Sequence, residues 1–288
     1  MRELVVISGK GGTGKTSITA SFAALSRGSV FADCDVDAAD LHLLLAPEIR
    51  EREVFRSGFK PVIESDLCTE CGRCRELCRF DAIDERFQID HFDCEGCGVC
   101  ADHCPAGAIR MEENECGEVF VSKTRFGTMV HARLGIAEEN TGRLVTRVRK
   151  LAREHAEAEG ASLIIADGSP GIGCPVIASI TGARLALIVS EPTVSGLHDT
   201  SRVLGLLRHF NVPAAVVINK CDLNAAMSRE IRFLCSVSSV PCLGEIPFDH
   251  SFTEALVNRK TLIEYCDGGT SGAIGGIWES AREMMGEN

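Results

Sequence analysis

Short apolar runs alternate with longer amphipathic stretches along most of this chain. Each run has the length and composition of a strand that is buried on both faces. The stretches at residues 142–159 and 196–210 have helical spacing. Alternation of this kind predicts an α/β fold with a mostly parallel sheet flanked by helices. The predicted strands are residues 4–8, 30–34, 163–167, 185–190, 214–219 and 242–246.

The alternation stops between residues 47 and 162, where a cysteine-rich segment interrupts it. This segment spans residues 60–111 and contains an internal repeat in which Cys68 aligns with Cys94. We therefore predict a small inserted α+β domain at residues 60–111. Residues 1–59 and 112–288 then form the two parts of one larger domain.

The cysteines of the insertion form two runs with one spacing, C-x2-C-x2-C-x3-C. This is the spacing of a bacterial two-cluster ferredoxin, in which three cysteines of a run hold one [4Fe-4S] cluster and the fourth holds the other. Glycines at positions 72, 96 and 98 let the loops wrap around an inorganic core. The first cluster is assigned to Cys68, Cys71, Cys74 and Cys104, and the second to Cys94, Cys97, Cys100 and Cys78.

The alternatives for these cysteines are a zinc site or disulfides, and the doubled spacing disfavours both. Arg79 stands where a ferredoxin run usually carries proline. This difference affects the loop geometry and places a cation near a cluster, where it can tune the reduction potential.

A glycine-rich loop follows the first predicted strand. Gly9 to Thr16 read G-K-G-G-T-G-K-T, and helix-compatible sequence continues to Leu25. Strand, G-x4-G-K-[ST] loop and helix are the context of a P-loop, whose backbone N–H groups cradle phosphates. Lys15 is predicted to reach the β- and γ-phosphates, and Thr16 to bind Mg²⁺. The other predicted nucleotide contacts in the loop are Gly11, Gly12, Thr13, Gly14 and Ser17.

Lys10, which follows the first glycine of the loop, indicates which family of P-loop proteins the chain resembles. The motif K-G-G-x-G-K-T resembles the deviant Walker A loop of the MinD/ParA/Mrp superfamily, which includes the nitrogenase iron protein. By that resemblance, Lys10 crosses a dimer interface to the partner's nucleotide. Asp35 in the segment 30–37 would position the attacking water, and Asp167 would hold the Mg²⁺ shell. Asp33 and Asp37 are expected to be supporting residues.

The residues predicted to bind the base are compatible with either GTP or ATP. Asn219, Lys220 and Asp222 form an N-K-x-D sequence that resembles the guanine motif of GTPases. MinD-like ATPases also place an asparagine at this strand end, against adenine. Pro247, Phe248 and Asp249 resemble the later loop that lines adenine in that family, and the loop together with Lys10 favours ATP.

Two other segments, residues 190–199 and 130–135, also resemble P-loop ATPases of this superfamily that carry an inserted ferredoxin domain. The second segment is interpreted either as a packed connection behind the active site or as a functional element. The last helix, predicted at residues 273–285, has a single basic residue, Arg282. We expect it to pack on the domain, in contrast to the basic membrane helix of MinD proteins.

Composition is consistent with a cytoplasmic, globular protein. The chain has 288 residues, 45% of them hydrophobic, and its net charge of −11 makes nucleic acid an unexpected partner. Its apolar stretches are too short for a membrane span, and we expect no signal peptide and no stable membrane anchor. Eight of the fifteen cysteines lie in the two runs, a usage that favours a reducing compartment and metal binding. Most of the others are expected to be small core residues.

The combined motifs indicate a Mg²⁺-dependent ATPase with two [4Fe-4S] clusters. We expect ATP to close a homodimer across Lys10, and hydrolysis to reopen it. The leading function is electron transfer to a redox partner, or assembly of a metal cofactor with a partner protein. The alternative is a spatial organiser of the ParA/MinD kind whose clusters are redox sensors or structural elements.

Cys174 lies seven residues beyond Asp167 in the sequence. The nitrogenase iron protein has a cluster-ligating cysteine at a similar place, where two protomers share one cluster. The resemblance allows paired Cys174 thiolates to hold a metal species in the ATP-bound dimer. A structural role, as a small residue before Pro175 at the start of a helix, is the competing interpretation.

Overall fold

The computed structural model describes residues 1–135, 138 and 141–286. The strands are β1 (Arg2–Ser8), β2 (Val30–Asp33), β3 (Glu48–Ile63), β4 (Ile109–Lys123), β5 (Thr128–Leu134), β6 (Leu163–Pro170), β7 (Leu185–Ser190), β8 (Ala214–Asn219) and β9 (Cys242–Ile246). The helices are α1 (Lys15–Leu25), α2 (Leu41–Leu45), α3 (Arg73–Leu77), α4 (Val99–Asp102), α5 (Thr141–Glu159), α6 (Cys174–Ile180), α7 (Val194–His209), α8 (Ala225–Val237), α9 (Ser251–Val257), α10 (Leu262–Tyr265) and α11 (Gly269–Met285).

The strands form one sheet of order β3-β4-β5-β2-β6-β1-β7-β8-β9 in the described part of the chain. The pairs β5–β2, β2–β6, β6–β1, β1–β7, β7–β8 and β8–β9 are all parallel. Parallel strands end at the same edge of a sheet, so the loops after β1, β2 and β6 lie side by side. This edge is where the phosphate-binding loop and the predicted aspartates meet.

The predicted α/β fold with a mostly parallel sheet is confirmed. The predicted bounds of β7, β8 and β9 agree with the structure residue for residue. Strands β3 and β4 have no counterpart among the predicted strands. Most of β3 is exposed and carries charged side chains, so it lacks the apolar run that marks a buried strand. Residues 128–134 form strand β5, in which Met129 and Val130 are fully buried. The segment 130–135 is therefore packed, as the first interpretation held, but most of it is a strand of the sheet and not a connection.

The chain divides into two compact units. Unit 1 comprises residues 1–53, 119–133 and 141–288, and unit 2 comprises residues 54–118 and 134–140. The insertion predicted at residues 60–111 lies within unit 2, which extends beyond it on both sides. Two of the boundaries fall within β3 and β4, and a third falls at the end of β5.

Unit 1 has a large apolar core between its sheet and helices. Phe22 of α1 and Trp278 of α11 lie with ring centroids 5.1 Å apart, and both are almost fully buried. Ile274, Ile277 and Met285 of α11 are buried in the same cluster. The apolar face of the last helix therefore packs on its own unit, as predicted.

Unit 2 has a small core in the described residues. Its buried apolar cluster consists of Cys74, Ile83 and Ile109, with partly buried side chains packed around it. Cys78, Cys100 and Cys104 are among those partly buried side chains. A core of this size stabilises a domain poorly, and small domains of this kind usually depend on a disulfide or a bound metal.

Candidate nucleotide site and cysteine-lined cavities

The phosphate-binding loop connects β1 to α1 at the centre of the sheet. Gly14 has a φ of 93°, and a Cβ at this position would lie 2.4 Å from Nδ2 of Asn219. Glycine is therefore required here both for its backbone conformation and for space. Helix α1 begins at Lys15, so its N-terminal N–H groups point into the loop, as phosphate binding requires.

Lys15 lies between two carboxylates. Its Nζ is 3.0 Å from Oδ1 of Asp167 and 3.1 Å from Oδ2 of Asp35. The Thr16 hydroxyl donates a 2.6 Å hydrogen bond to the other oxygen of Asp167, and the Thr19 hydroxyl donates to Oδ1 at 3.0 Å. The lysine, the threonine and the two aspartates that were predicted from separate segments therefore meet in one buried group.

Asp33 holds the backbone next to this group through hydrogen bonds to two N–H groups. One carboxylate oxygen accepts the backbone N–H of Asp35 at 3.2 Å, and the other accepts the N–H of Leu41 at 3.3 Å. Asp33 therefore holds the loop that carries Asp35, which agrees with the expected supporting role. Asp37 is exposed.

Electrostatics keep Lys15 charged in this site. Burial lowers its pKa, but Asp167 and Asp35 outweigh burial, and the net pKa is raised. Burial raises the pKa of Asp33 and Asp35, and the neighbouring carboxylates raise it further. Asp35 and Asp167 bring carboxyl oxygens, the ligand type that Mg²⁺ prefers, beside the phosphate-binding loop, which suits the predicted Mg²⁺ site.

We expect Lys15→Ala to destabilise the nucleotide-free protein by about 3–5 kcal/mol, because removing one partner leaves buried charges uncompensated. The measurement is urea unfolding followed by circular dichroism at neutral pH. A carboxyl group whose pKa is higher in the folded than in the unfolded protein stabilises the folded state fully when the pH is below its unfolded-state pKa. That stabilisation is lost as the pH rises through its folded-state pKa. The deficit relative to wild type should therefore shrink as the pH falls from about 7 toward about 4.

Lys150→Ala is the matched control. Lys150 lies exposed on α5, and its Nζ is 3.8 Å from Oε1 of Glu154, so it forms a weak i,i+4 surface pair. It should change the free energy of unfolding by less than about 1 kcal/mol. Equal effects of the two substitutions would contradict the buried-charge explanation.

Lys10 does not join the Lys15 group. Its Nζ is 2.5 Å from Oε1 of Glu191, and it donates to the hydroxyls of Ser195 at 3.2 Å and Thr193 at 3.4 Å. The other oxygen of Glu191 is 3.1 Å from Nζ of Lys220. Burial raises the pKa of Glu191, but hydrogen bonds from the two lysines lower it below its usual value.

The predicted base-binding residues follow β8 and β9. Asn219 Nδ2 donates to the Thr13 carbonyl at 2.8 Å, so the end of β8 is tied to the phosphate-binding loop. An oxygen of Asp222 accepts the N–H of Phe248 at 2.6 Å, which joins this strand end to the loop after β9. Phe248 is 44% exposed, and its ring makes a T-shaped contact with the His250 ring at a centroid distance of 5.0 Å. Thr270 lowers the pKa of Asp249 by donating a hydrogen bond to its carboxylate.

The eight cysteines of the two runs surround two cavities. The first cavity, about 320 Å³ including its open mouth, is lined by Cys68, Cys71, Cys74 and Cys104. The second, about 370 Å³ on the same measure, is lined by Cys78, Cys94, Cys97 and Cys100. Each cavity thus takes three cysteines from one run and the last cysteine of the other run. Within the described ranges, no three Cys, His, Asp or Glu side chains converge closely enough to hold a single metal ion.

The two runs also have the same local backbone. Gly72 and Gly98 have φ values of 78° and 77°, and each precedes a short helix, α3 or α4. Backbone N–H groups point at sulfur: Gly96 donates to Cys94 Sγ at 3.5 Å, and Ala108 donates to Cys104 Sγ at 3.3 Å.

The cysteines outside the runs have mixed environments. Cys34, Cys116 and Cys235 are buried, as expected for small core residues. Cys174 is exposed at the first position of α6, directly before Pro175, which agrees with the structural interpretation of a residue that starts a helix. Its role as a metal ligand stays a prediction.

Sequence reasoning did not single out Thr19 or Glu191. Thr19 lies one helical turn after Lys15, and this spacing on α1 was the available signal. Glu191 lies in the segment 190–199, which resembled the superfamily, but no pattern in the sequence pairs it with Lys10.

A phosphate-binding loop at the centre of a parallel sheet, with aspartates at the ends of neighbouring strands, defines a P-loop nucleotide-binding protein. The chain matches the CobQ/CobB/MinD/ParA nucleotide binding domain, CbiA, over residues 4–262. It therefore belongs to this family. The described residues contain no helix that is both long and apolar enough to cross a membrane.

Individual proteins match the chain over different lengths. An uncharacterised protein of Methanocaldococcus jannaschii is 32% identical over 289 residues, which cover 98% of this chain and 97% of that protein. Pyruvate synthase subunit PorD of Methanothermobacter marburgensis is 42% identical over 57 residues, 20% of this chain and 70% of the subunit. The structure of the septum site-determining protein MinD with Mg-ADP from Pyrococcus horikoshii is similar in fold, with a TM-score of 0.58, 19% identity, and coverage of 99% of this chain and 97% of MinD.

Proposed function

We propose that this chain is an ATP-hydrolysing iron–sulfur protein that couples ATP-dependent dimerisation to electron transfer or to the assembly of a metal cofactor. The observation that carries the proposal is the arrangement of cysteines in unit 2. Each cavity is lined by three cysteines of one run and the last of the other, the pattern that two-cluster ferredoxin spacing implies. The same chain has a complete set of P-loop residues in unit 1.

The cavities offer the ligands that the proposed [4Fe-4S] clusters need, and the small core of unit 2 is of the kind that a bound cluster would stabilise. Four cysteine sulfurs per cavity match the ligand number of one such cluster, and the amide N–H groups of Gly96 and Ala108 stabilise sulfur charge. The small apolar core of unit 2 supports a bound group that completes the fold. Bound clusters would supply one-electron redox chemistry. The match to a pyruvate synthase subunit over part of the chain also supports a ferredoxin-like region.

The nucleotide site supports Mg²⁺-dependent hydrolysis. Thr16 and Asp167 are already hydrogen-bonded to each other and would hold the Mg²⁺ ion between them. Lys15 would move from its two aspartates to the phosphates, since phosphate oxygens offer the same negative charge. Asp35, released from Lys15, would then orient the attacking water.

We propose adenine as the base. One oxygen of Asp222 already accepts the N–H of Phe248, and Asn219 Nδ2 donates to the Thr13 carbonyl, so both side chains of the guanine-like motif have backbone partners within the protein. The exposed Phe248 ring offers a stacking surface for a purine of either kind. We expect ATP to compete better than GTP for the site, which displacement of a fluorescent ATP analogue would measure.

The MinD-like fold also supports a second function, spatial organisation in which the clusters have a sensing or structural role. The two functions differ in one measurable property. Electron transfer coupled to ATP requires that nucleotide changes the reduction potential of the clusters or the affinity for a redox partner, whereas a structural cluster does not.

Anaerobically purified protein should contain about eight iron and about eight acid-labile sulfide per chain, as two [4Fe-4S] clusters require. Its reduction potential, measured by a redox titration with electron paramagnetic resonance, should shift when MgATP is added. Stoichiometric zinc without iron would refute the cluster assignment. An unchanged potential and unchanged partner binding would favour spatial organisation.

Lys10→Ala should bind ATP as a monomer but fail to form the ATP-dependent dimer. The reason is that the crossing lysine contributes a charge to the nucleotide of the partner protomer. Light scattering with a non-hydrolysable ATP analogue measures the dimer, and Lys260→Ala, at an exposed lysine, is the control. A dimer of normal affinity in the Lys10 variant would refute the crossing role.

A further inference from the structure

Lys10 is held on its own protomer by a polar pocket. Glu191, Thr193 and Ser195 supply three oxygens within 3.4 Å of its Nζ, the nearest at 2.5 Å. The residues of the pocket lie at the N-terminus of α7, where a capping hydrogen bond holds the backbone. Thr193 caps α7 by accepting the N–H of Gly196 at 2.9 Å, which fixes the segment that follows β7. A lysine that is bonded here cannot simultaneously extend toward a second protomer.

Glu191 binds a second lysine as well. Its Oε2 pairs with Nζ of Lys220, which also donates to the Gly12 carbonyl at 3.0 Å. One carboxylate with a side chain only 14% exposed therefore connects the phosphate-binding loop, the segment before α7 and the end of β8. Loss of its charge would loosen two of the contacts that hold Lys10 and its loop.

The loop itself has room to move once these contacts break. A Cβ built on Gly11 or Gly12 would meet nothing within 4 Å. No side chain packs on the two glycines that follow Lys10, while the Lys10 carbonyl accepts a hydrogen bond from Ser8 Oγ at 2.7 Å. The Lys10 side chain can therefore turn outward without a movement of its backbone, and the ion pair with Glu191 is the shortest contact of its ammonium group.

From these contacts we infer that Glu191 is a positioning residue that restrains Lys10 in the nucleotide-free protomer and sets the threshold for ATP-dependent dimerisation. The inference rests on the proposed function, because it assigns Lys10 to the dimer interface. Each protomer must break its own Lys10–Glu191 pair before the lysine reaches the partner. The partner here is a second copy of this chain, which presents the phosphates of its bound nucleotide.

The first experiment measures the restraint directly and needs neither nucleotide nor dimer. The nucleotide-free full-length protein is treated with a limiting amount of acetic anhydride, and acetylation of each lysine is quantified by mass spectrometry. In Glu191→Gln, which keeps the size of the side chain but removes its charge, acetylation of Lys10 should rise about fivefold, the effect of one ion pair of about 1 kcal/mol. Lys150 and Lys260 serve as internal references.

The second experiment measures dimerisation by analytical ultracentrifugation with a non-hydrolysable ATP analogue. Two ion pairs break for each dimer, so the dimer dissociation constant of Glu191→Gln should fall about 25-fold relative to wild type. ATP affinity of the monomer is measured in the same variant, and dimerisation is compared at saturating nucleotide, so that an effect on Lys220 and the phosphate-binding loop is separated from the effect on Lys10. Glu230→Gln, at an exposed position on α8, has the same change of charge and is the matched control.

Increased Lys10 acetylation together with tighter dimerisation supports the inference. Unchanged acetylation of Lys10 overturns it, and so does unchanged or weaker dimerisation when acetylation rises. If wild type forms no dimer with ATP, the proposed function fails and the inference fails with it. Circular dichroism spectra of both variants that match wild type exclude misfolding as the cause.

Discussion

Asp35→Ala should bind ATP and yet hydrolyse it about 10²–10⁴-fold more slowly than wild type, the usual effect of removing a group that orients or activates the attacking water. The position of Asp35 supports this outcome. Its carboxylate lies beside Lys15 Nζ at 3.1 Å, so it is within the phosphate site, and Asp33 holds its backbone in place. Burial raises its pKa, as expected for a group that accepts a proton.

Two measurements separate binding from chemistry in this variant. Isothermal titration calorimetry should give an ATP affinity near that of wild type, while phosphate release falls. Lys15→Ala should behave in the opposite way and weaken ATP binding by about a hundredfold or more, since losing a charged contact in a buried site costs about 2–5 kcal/mol.

Asp40→Ala is the control for the Asp35 substitution. Asp40 is exposed on the same loop, and its side chain makes no capping hydrogen bond to α2. Hydrolysis by this variant should stay within about threefold of wild type, since surface substitutions of this kind have small effects. A fully active Asp35→Ala enzyme would show that another group orients the water.

Cys78→Ala should remove the cluster held by the second run, and Cys104→Ala the cluster held by the first. Iron should fall from about eight to about four per chain in either variant, because each four-cysteine cavity loses one of its ligands. The basis is the lining of the cavities, in which Cys78 joins Cys94, Cys97 and Cys100. Inductively coupled plasma mass spectrometry of anaerobic protein measures the loss.

Double variants identify which cluster has gone. Cys78→Ala combined with Cys94→Ala should lose no more iron than either alone, since both residues belong to one cavity. Cys78→Ala combined with Cys68→Ala should lose nearly all iron. The opposite pattern would assign Cys78 to its own run and refute the crossed arrangement. Cys266→Ala, in unit 1, should leave the iron content unchanged.

Most of the α/β fold could be predicted from the sequence because its central strands are buried on both faces. Strands β7 and β8 are short apolar runs that are almost fully buried, a pattern that needs no tertiary information. The phosphate-binding loop was equally visible, since phosphate binding requires a contiguous set of glycines, a lysine and a threonine.

Strands β3 and β4 and the unit boundaries within them could not be predicted in the same way. Many of their residues are exposed and charged, β3 also exposes Ile49, Val54 and Phe59, and their pairing depends on chain segments far away in the sequence. Pairing of this kind is decided by the sheet as a whole, because a half-exposed strand has little intrinsic preference.

The candidate site shows the same division between local and tertiary information. The identities of Lys10, Lys15, Asp35 and Asp167 follow from local motifs. Their grouping follows from a parallel sheet, which brings the ends of β1, β2 and β6 to one edge. The sequence by itself determined which side chains are available for phosphate and metal chemistry, because that chemistry depends on residue type and short spacing. Only the tertiary structure decided that Lys10 pairs with Glu191, because that contact joins residues 181 positions apart through the packing of two loops.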